Sequence, residues 1–141
     1  VRGILEPFIQ QQPARIVIAN RTLERAQQLA SDFSDIAEIE VFTFAELKGQ
    51  QFDIIINGTS ASLSGDLPPL PAGLLKDNST SYDMMYAKED TPFMTWSREN
   101  NALRVIDGLG MLVEQAAESF YCWRKIRPQT RAVIDFVRGS L

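Results

Sequence analysis

The segment Asn20-Arg21-Thr22-Leu23-Glu24-Arg25 follows an apolar run, Ile16-Val17-Ile18-Ala19, so a strand delivers two arginines to the mouth of a helix. In a dinucleotide-binding fold the end of the second strand reads the adenosine ribose, usually through an Asp or Glu that accepts hydrogen bonds from the 2′-hydroxyl. Here the neutral Asn20 stands in that place. Arg21 and Arg25 are four apart, a spacing that puts both guanidinium groups on one helical face where they can converge on one anion. That chemistry selects a 2′-phosphate, and with it NADP over NAD. The plainer alternative is a solvated helix start in which Glu24 pairs with the arginines.

The elements that must position these groups follow from hydrophobic periodicity. Val1, Ile4, Leu5, Phe8 and Ile9 fall at helical spacing, and Pro13 stops that helix. No cap and no strand precede it, so the chain reads as a fragment whose first part lies upstream. Residues 15–19 form a strand, and 23–33 a helix with Leu23, Ala26, Leu29, Ala30 and Phe33 inward. Residues 39–42 form a second strand and 44–47 a short helical turn. The run Phe52-Asp53-Ile54-Ile55-Ile56-Asn57 is almost continuously apolar, as in a parallel strand covered on both faces. Residues 61–73 are a proline- and glycine-containing loop. A strand over 79–83, a helix over 92–100, a strand over 103–106 and helices over 111–123 and 130–138 complete the chain. Strand and helix alternating in this way predict a parallel α/β sheet. Ligands then sit at the carboxyl ends of the strands, which here are Asn20-Arg21-Thr22, Asn57-Gly58-Thr59-Ser60, Asp83-Met84-Met85-Tyr86 and Asp107-Gly108-Leu109-Gly110.

Composition bounds the remainder. A chain of 141 residues, 45% hydrophobic, suffices for one domain that buries roughly 65 to 70% of its unfolded surface. The formal net charge of -4 argues against a nucleic-acid partner, which would need a basic face. With no histidine and one cysteine, a metal site would have to be built almost wholly from carboxylates, and none is expected. Cys122, which has no partner within the chain, is expected to be a buried thiol in a reducing compartment. No membrane span and no signal peptide are indicated, so a cytoplasmic protein is expected.

These motifs, taken together and in order, resemble the C-terminal, NADP-binding domain of the shikimate dehydrogenase family. The resemblance runs through Asn20-Arg21-Thr22 with Arg25, Asn57-Gly58-Thr59-Ser60, Tyr82-Asp83-Met84-Met85-Tyr86 with Thr91-Pro92-Phe93, and the stretch from Asp107 to Ala117. It spans nearly the whole chain, so residues 1–141 are expected to be that domain. It implies a doubly wound, Rossmann-type sheet lacking its first strand and glycine-rich loop, because Val1-Arg2-Gly3-Ile4-Leu5 is similar to the segment directly after that loop.

The resemblance also implies roles. Asn20, Arg21, Thr22 and Arg25 match the adenosine-phosphate clamp. Thr59 and Ser60 match a loop that approaches the cofactor, a plain glycine-containing turn being the alternative. Met84 matches a residue packed on the nicotinamide, against ordinary core. Gly108 matches a position beside the nicotinamide, against a bare Asp-Gly turn. Tyr86 and Gln115 match contacts to shikimate or 3-dehydroshikimate, with Gln115 facing the cleft while Leu112 and Ala116 pack inward; an exposed Gln is the alternative.

The implied activity is the NADPH-dependent, reversible reduction of 3-dehydroshikimate to shikimate in aromatic amino-acid and chorismate biosynthesis. The family's proton-transfer Lys and Asp match nothing in this chain, so no catalytic residue is assigned and little turnover is expected from it alone. A quinate-preferring dehydrogenase and a non-catalytic nucleotide-binding or interaction module are the alternatives. In a sheet of order 3-2-1-4-5-6, the absent first strand would lie between the strand at Ile16 and that at Ile54. Either those two strands pair directly, or the open edge recruits another chain and the protein self-associates.

Overall fold

The computed structural model describes residues 1–59, 61 and 65–141. Its elements run α1 (Arg2–Gln10), β1 (Val17–Ala19), α2 (Leu23–Ser31), β2 (Glu40–Phe42), a 3-10 turn (Ala45–Leu47), β3 (Phe52–Asn57), β4 (Leu75–Asp83), α3 (Pro92–Glu99), β5 (Arg104–Ile106), α4 (Leu109–Arg124) and α5 (Arg131–Ser140). Among the described residues all strand pairs are parallel, in two sheets of order β1-β2 and β3-β4-β5. The chain divides into two compact units, residues 1–51 with 69–74 and residues 52–68 with 75–141.

In the first unit the β1-β2 ladder runs from Val17 opposite Glu40 to Ala19 opposite Phe42. Arg15 closes its amino end, bonding Glu40 and the Gln50 side chain and lying over the Phe42 ring. Leu5, Ala26, Leu47 and Leu74 are buried here. Arg2 of α1 pairs with Asp32 just past α2 and stacks on Phe33, which ties α1 to α2 at their polar rims.

In the second unit Ile54, Ile55, Ile56 and Asn57 of β3 face Thr80, Ser81, Tyr82 and Asp83 of β4, and Thr80 to Tyr82 continue onto Arg104 to Ile106 of β5. Strand β4 begins four residues before the expected 79, because Leu75 pairs with Phe52 and Lys76 reaches Asp53 at 2.8 Å. The core consists of Leu75, Phe93, Met94, Trp96, Leu109, Val113 and Ala117. Phe93 and Trp96 stack with ring centroids 5.7 Å apart. Residues 109, 113 and 117 recur every four positions, so α4 presents one apolar stripe over its first half.

Three expectations are corrected. Strand β3 is not covered on both faces, since Ile54 is 54% exposed. On α4 the inward residues are Leu109, Val113 and Ala117, whereas Leu112 is half-buried and Ala116 exposed. Cys122 is exposed, because nine residues at 100° each carry it to the side of α4 opposite Val113. Of the two arrangements expected for the open sheet, direct pairing is not found: among the described residues the ladders of β1 and β3 are those with β2 and β4. No helix of the described residues is long and apolar enough to cross a membrane, and none of their carboxylates and thiols cluster in threes as metal ligands would.

Candidate functional site

The polar residues that sequence places at the carboxyl ends of strands occupy those ends in both units. In the first, Asn20 extends the ladder by donating its amide to Phe42 O at 3.4 Å. Thr22 is the N-cap of α2 with extended backbone, yet its hydroxyl makes no capping hydrogen bond. The first amides of α2 therefore keep their outward polarity, which favours an anion. Arg25 lies in the first turn of α2, while Arg21 precedes the cap, so the two are not neighbours on a helix as the spacing predicts; they flank its start. Both are exposed, and among the described residues neither guanidinium is paired with a carboxylate, nor is Glu24 paired with either of them. The solvated-pair alternative is thus not what this helix start adopts.

In the second unit the strand ends are built from buried polar groups. Asn57, Asp83 and Asp107 end or directly follow β3, β4 and β5 and are 4%, 0% and 6% exposed. Asn57 Nδ2 donates to Asp83 Oδ1 at 3.3 Å. Its Oδ1 accepts from both the amide and the hydroxyl of Thr59, at 3.1 and 2.8 Å, which fixes that turn. Asp83 also accepts from the Met85 amide at 3.0 Å and from the Thr91 hydroxyl at 2.5 Å. The same Thr91 oxygen accepts from Met94 N at 3.2 Å, so one side chain caps α3 and satisfies the carboxylate. Pro92 at the first helical position suits that start.

Asp107 is gripped through both oxygens by Arg138 of α5 and accepts from Leu109 N at 3.3 Å. The Arg138 bonds hold its carboxyl below the ordinary range against the opposing effect of burial. Tyr82, on the facing strand, is pushed up by burial and then by the negative charge of Asp107, against a hydrogen bond with the Met111 backbone. Gly108 packs on the Met84 backbone, where an added Cβ would lie 2.1 Å from the Met84 carbonyl oxygen. Its φ of -79° is open to any residue, so space rather than conformation demands glycine.

Around this scaffold, Thr59, Met84, Tyr86, Gly108 and Gln115 fall within one unit, and Asn20, Arg21, Thr22 and Arg25 within the other. Met84 is half-buried, Tyr86 is 37% exposed and Gln115 is exposed on α4. Ser60 lies outside the described residues. Periodicity found the strand tips but gave no role to Thr91 or Arg138; the threonine before a proline at a helix start was a readable cap signal, whereas Arg138 lies 31 residues from Asp107 with no local signature.

Parallel strands, crossover helices and polar carboxyl ends define a Rossmann-type α/β protein. Residues 2–64 match the family model described as shikimate / quinate 5-dehydrogenase, and residues 108–137 match that of the shikimate 5'-dehydrogenase C-terminal domain. A shikimate dehydrogenase (NADP(+)) of Cellvibrio japonicus is 51% identical over 100% of this chain and 51% of its own length. Among solved structures, an Ael1 enzyme from Pseudomonas putida is 47% identical with a TM-score of 0.84, covering 94% of this chain and 49% of that one. The Thermus thermophilus shikimate 5-dehydrogenase in complex with NADP(H) and shikimate is 25% identical with a TM-score of 0.75, over 94% of this chain and 48% of that one. The chain belongs to the shikimate dehydrogenase family. It spans about half the length of the curated relatives it matches.

Proposed function

We propose that residues 1–141 are the NADP-binding domain of a shikimate dehydrogenase that reversibly reduces 3-dehydroshikimate to shikimate. The observation that carries this reading is the pair of exposed guanidinium groups of Arg21 and Arg25 at the α2 start, paired with no carboxylate among the described residues, where the Thr22 hydroxyl makes no cap and the strand ends in Asn20 instead of an acid. Planar forks beside free helical amides suit the oxygens of a 2′-phosphate, and Thr22 adds a hydroxyl. The coenzyme supplies the hydride. Thr59 and, by its place in the sequence, Ser60 are assigned to the coenzyme's approach, Met84 offers a polarizable thioether to the flat nicotinamide, and Gly108 brings backbone beside that ring. Tyr86 and Gln115 donate and accept hydrogen bonds to the substrate's hydroxyl and carboxylate groups without carrying charge.

No residue here is given the proton-transfer step, and the chain alone is expected to show little turnover. The place of action is the cytoplasm, in the route to chorismate and the aromatic amino acids. Self-association through an open sheet edge is part of the proposal. Quinate is the alternative substrate, since the matched family embraces dehydrogenases of both compounds.

Titration of the polypeptide as encoded with NADP, NAD and 2′,5′-ADP tests the reading. NADP and 2′,5′-ADP should bind in preference to NAD, the preference should weaken as salt rises, and Arg21→Ala with Arg25→Ala should weaken NADP by about 10- to 100-fold. Undiminished affinity in the double variant overturns the clamp, and equal affinity for NAD points to a module without a coenzyme role.

A further inference from the structure

The last turn of α5 carries a side chain that none of these roles uses. Arg138 spans from the end of the chain to the end of β5, where its Nη2 meets Asp107 Oδ1 at 2.7 Å and its Nη1 holds Oδ2. Asp107 is buried, its side chain 5% exposed, and its Oδ1 also accepts the Leu109 amide, so the carboxylate fixes the turn on both sides of Gly108. Gly108 in turn donates to Met85 O at 2.9 Å and rests on the Met84 backbone. On the other side Met84 N donates to Asn57 O at 3.0 Å and Met85 N to Asp83. The loop after β4 is therefore held from β3 and β4 through its amides, and from β5 through the Met85 carbonyl, the contact lying nearest to Tyr86.

We infer that Arg138 is a positioning residue for the coenzyme-facing loop, setting the placement of Met84, Met85 and Tyr86 through Asp107 and Gly108. The inference rests on the proposed coenzyme reading for its functional meaning and on the hydrogen-bond path for its geometry. A planar fork is required, because both carboxylate oxygens are engaged at once and an ammonium group cannot reproduce that grip.

The test uses Arg138→Met and Arg138→Lys in the polypeptide as encoded. Without ligand, the methionine methyl resonances of Met84 and Met85 should shift in Arg138→Met, while that of Met94 in α3 stays in place; unmoved Met84 and Met85 signals overturn the inference. With ligand, Arg138→Met should raise the NADPH Kd about tenfold and leave that of 2′,5′-ADP within about twofold, with Arg138→Lys between wild type and Arg138→Met. Equal weakening of both nucleotides, or of neither, overturns a positioning role at the nicotinamide end. Should the unmodified polypeptide bind neither nucleotide, the functional reading falls, and the inference is decided by the methyl resonances alone.

Discussion

The strand end at Asn20–Arg25 and the strand ends at Asn57, Asp83 and Asp107 are both polar, but they are polar in opposite ways. At the first, the guanidinium groups of Arg21 and Arg25 are exposed and, among the described residues, paired with no carboxylate, and the Thr22 hydroxyl makes no capping hydrogen bond. At the others, the carboxylates of Asp83 and Asp107 are buried and answered by several donors. Exposed unpaired cations add little to folding and are suited to receiving an anion. A buried, satisfied network is suited to holding loops still, and its removal leaves orphaned donors. On the proposed reading, the first strand end serves recognition and the others form a framework for positioning.

Substitutions can break that contrast in graded steps. Asp83→Ala removes the acceptor that the Thr91 hydroxyl, the Met85 amide and the Asn57 side-chain amide share at the end of β4, and should lower stability by about 3 kcal/mol or more, read by urea unfolding. If Asp83→Ala unfolds at the wild-type midpoint, the framework reading is wrong. Gly108→Ala forces a methyl group against the Met84 backbone and should cost about 1–3 kcal/mol, measured in the same way.

Asp107 sharpens the comparison through pH. Its native carboxyl titrates below its unfolded value, so the stabilisation is fully present above the ordinary carboxylate range and is lost as pH falls through the lower native value. The difference in acid unfolding between wild type and Arg138→Met should therefore shrink towards zero as pH falls through that window. A difference that is constant with pH would assign the loss to packing instead. Smallest of all, Arg21→Ala and Arg25→Ala should change stability by no more than about 0.5 kcal/mol, so any loss of coenzyme affinity in them is read as recognition. A large drop in their melting temperature would erase the distinction between the two regions.

Much of this was legible from residue order. The β3 limits, Phe52 and Asn57, coincide with the apolar run, and the helix over residues 92–99 follows its Thr-Pro start. The strand-end polar residues were readable because short, nearly continuous apolar runs stop abruptly at them. What escaped depends on where helices begin and on what packs against them. Cys122 looked buried from its neighbours, but α4 has no buried residue after Ala117, so local hydrophobicity outran the packing that would use it. Arg21 and Arg25 read as a helical pair because sequence spacing does not reveal that Thr22 is the cap. The grip of Arg138 on Asp107 required knowing where α5 returns.

The seat of Gly108 constrains how this protein can vary. The atoms that would meet a new side chain belong to the main chain of Met84, which every amino acid shares. Trimming a neighbour therefore creates no room. In a genetic selection for regained function starting from Gly108→Ala, revertants should return to glycine at the same codon, and second-site suppressors should be confined to changes that displace the loop itself.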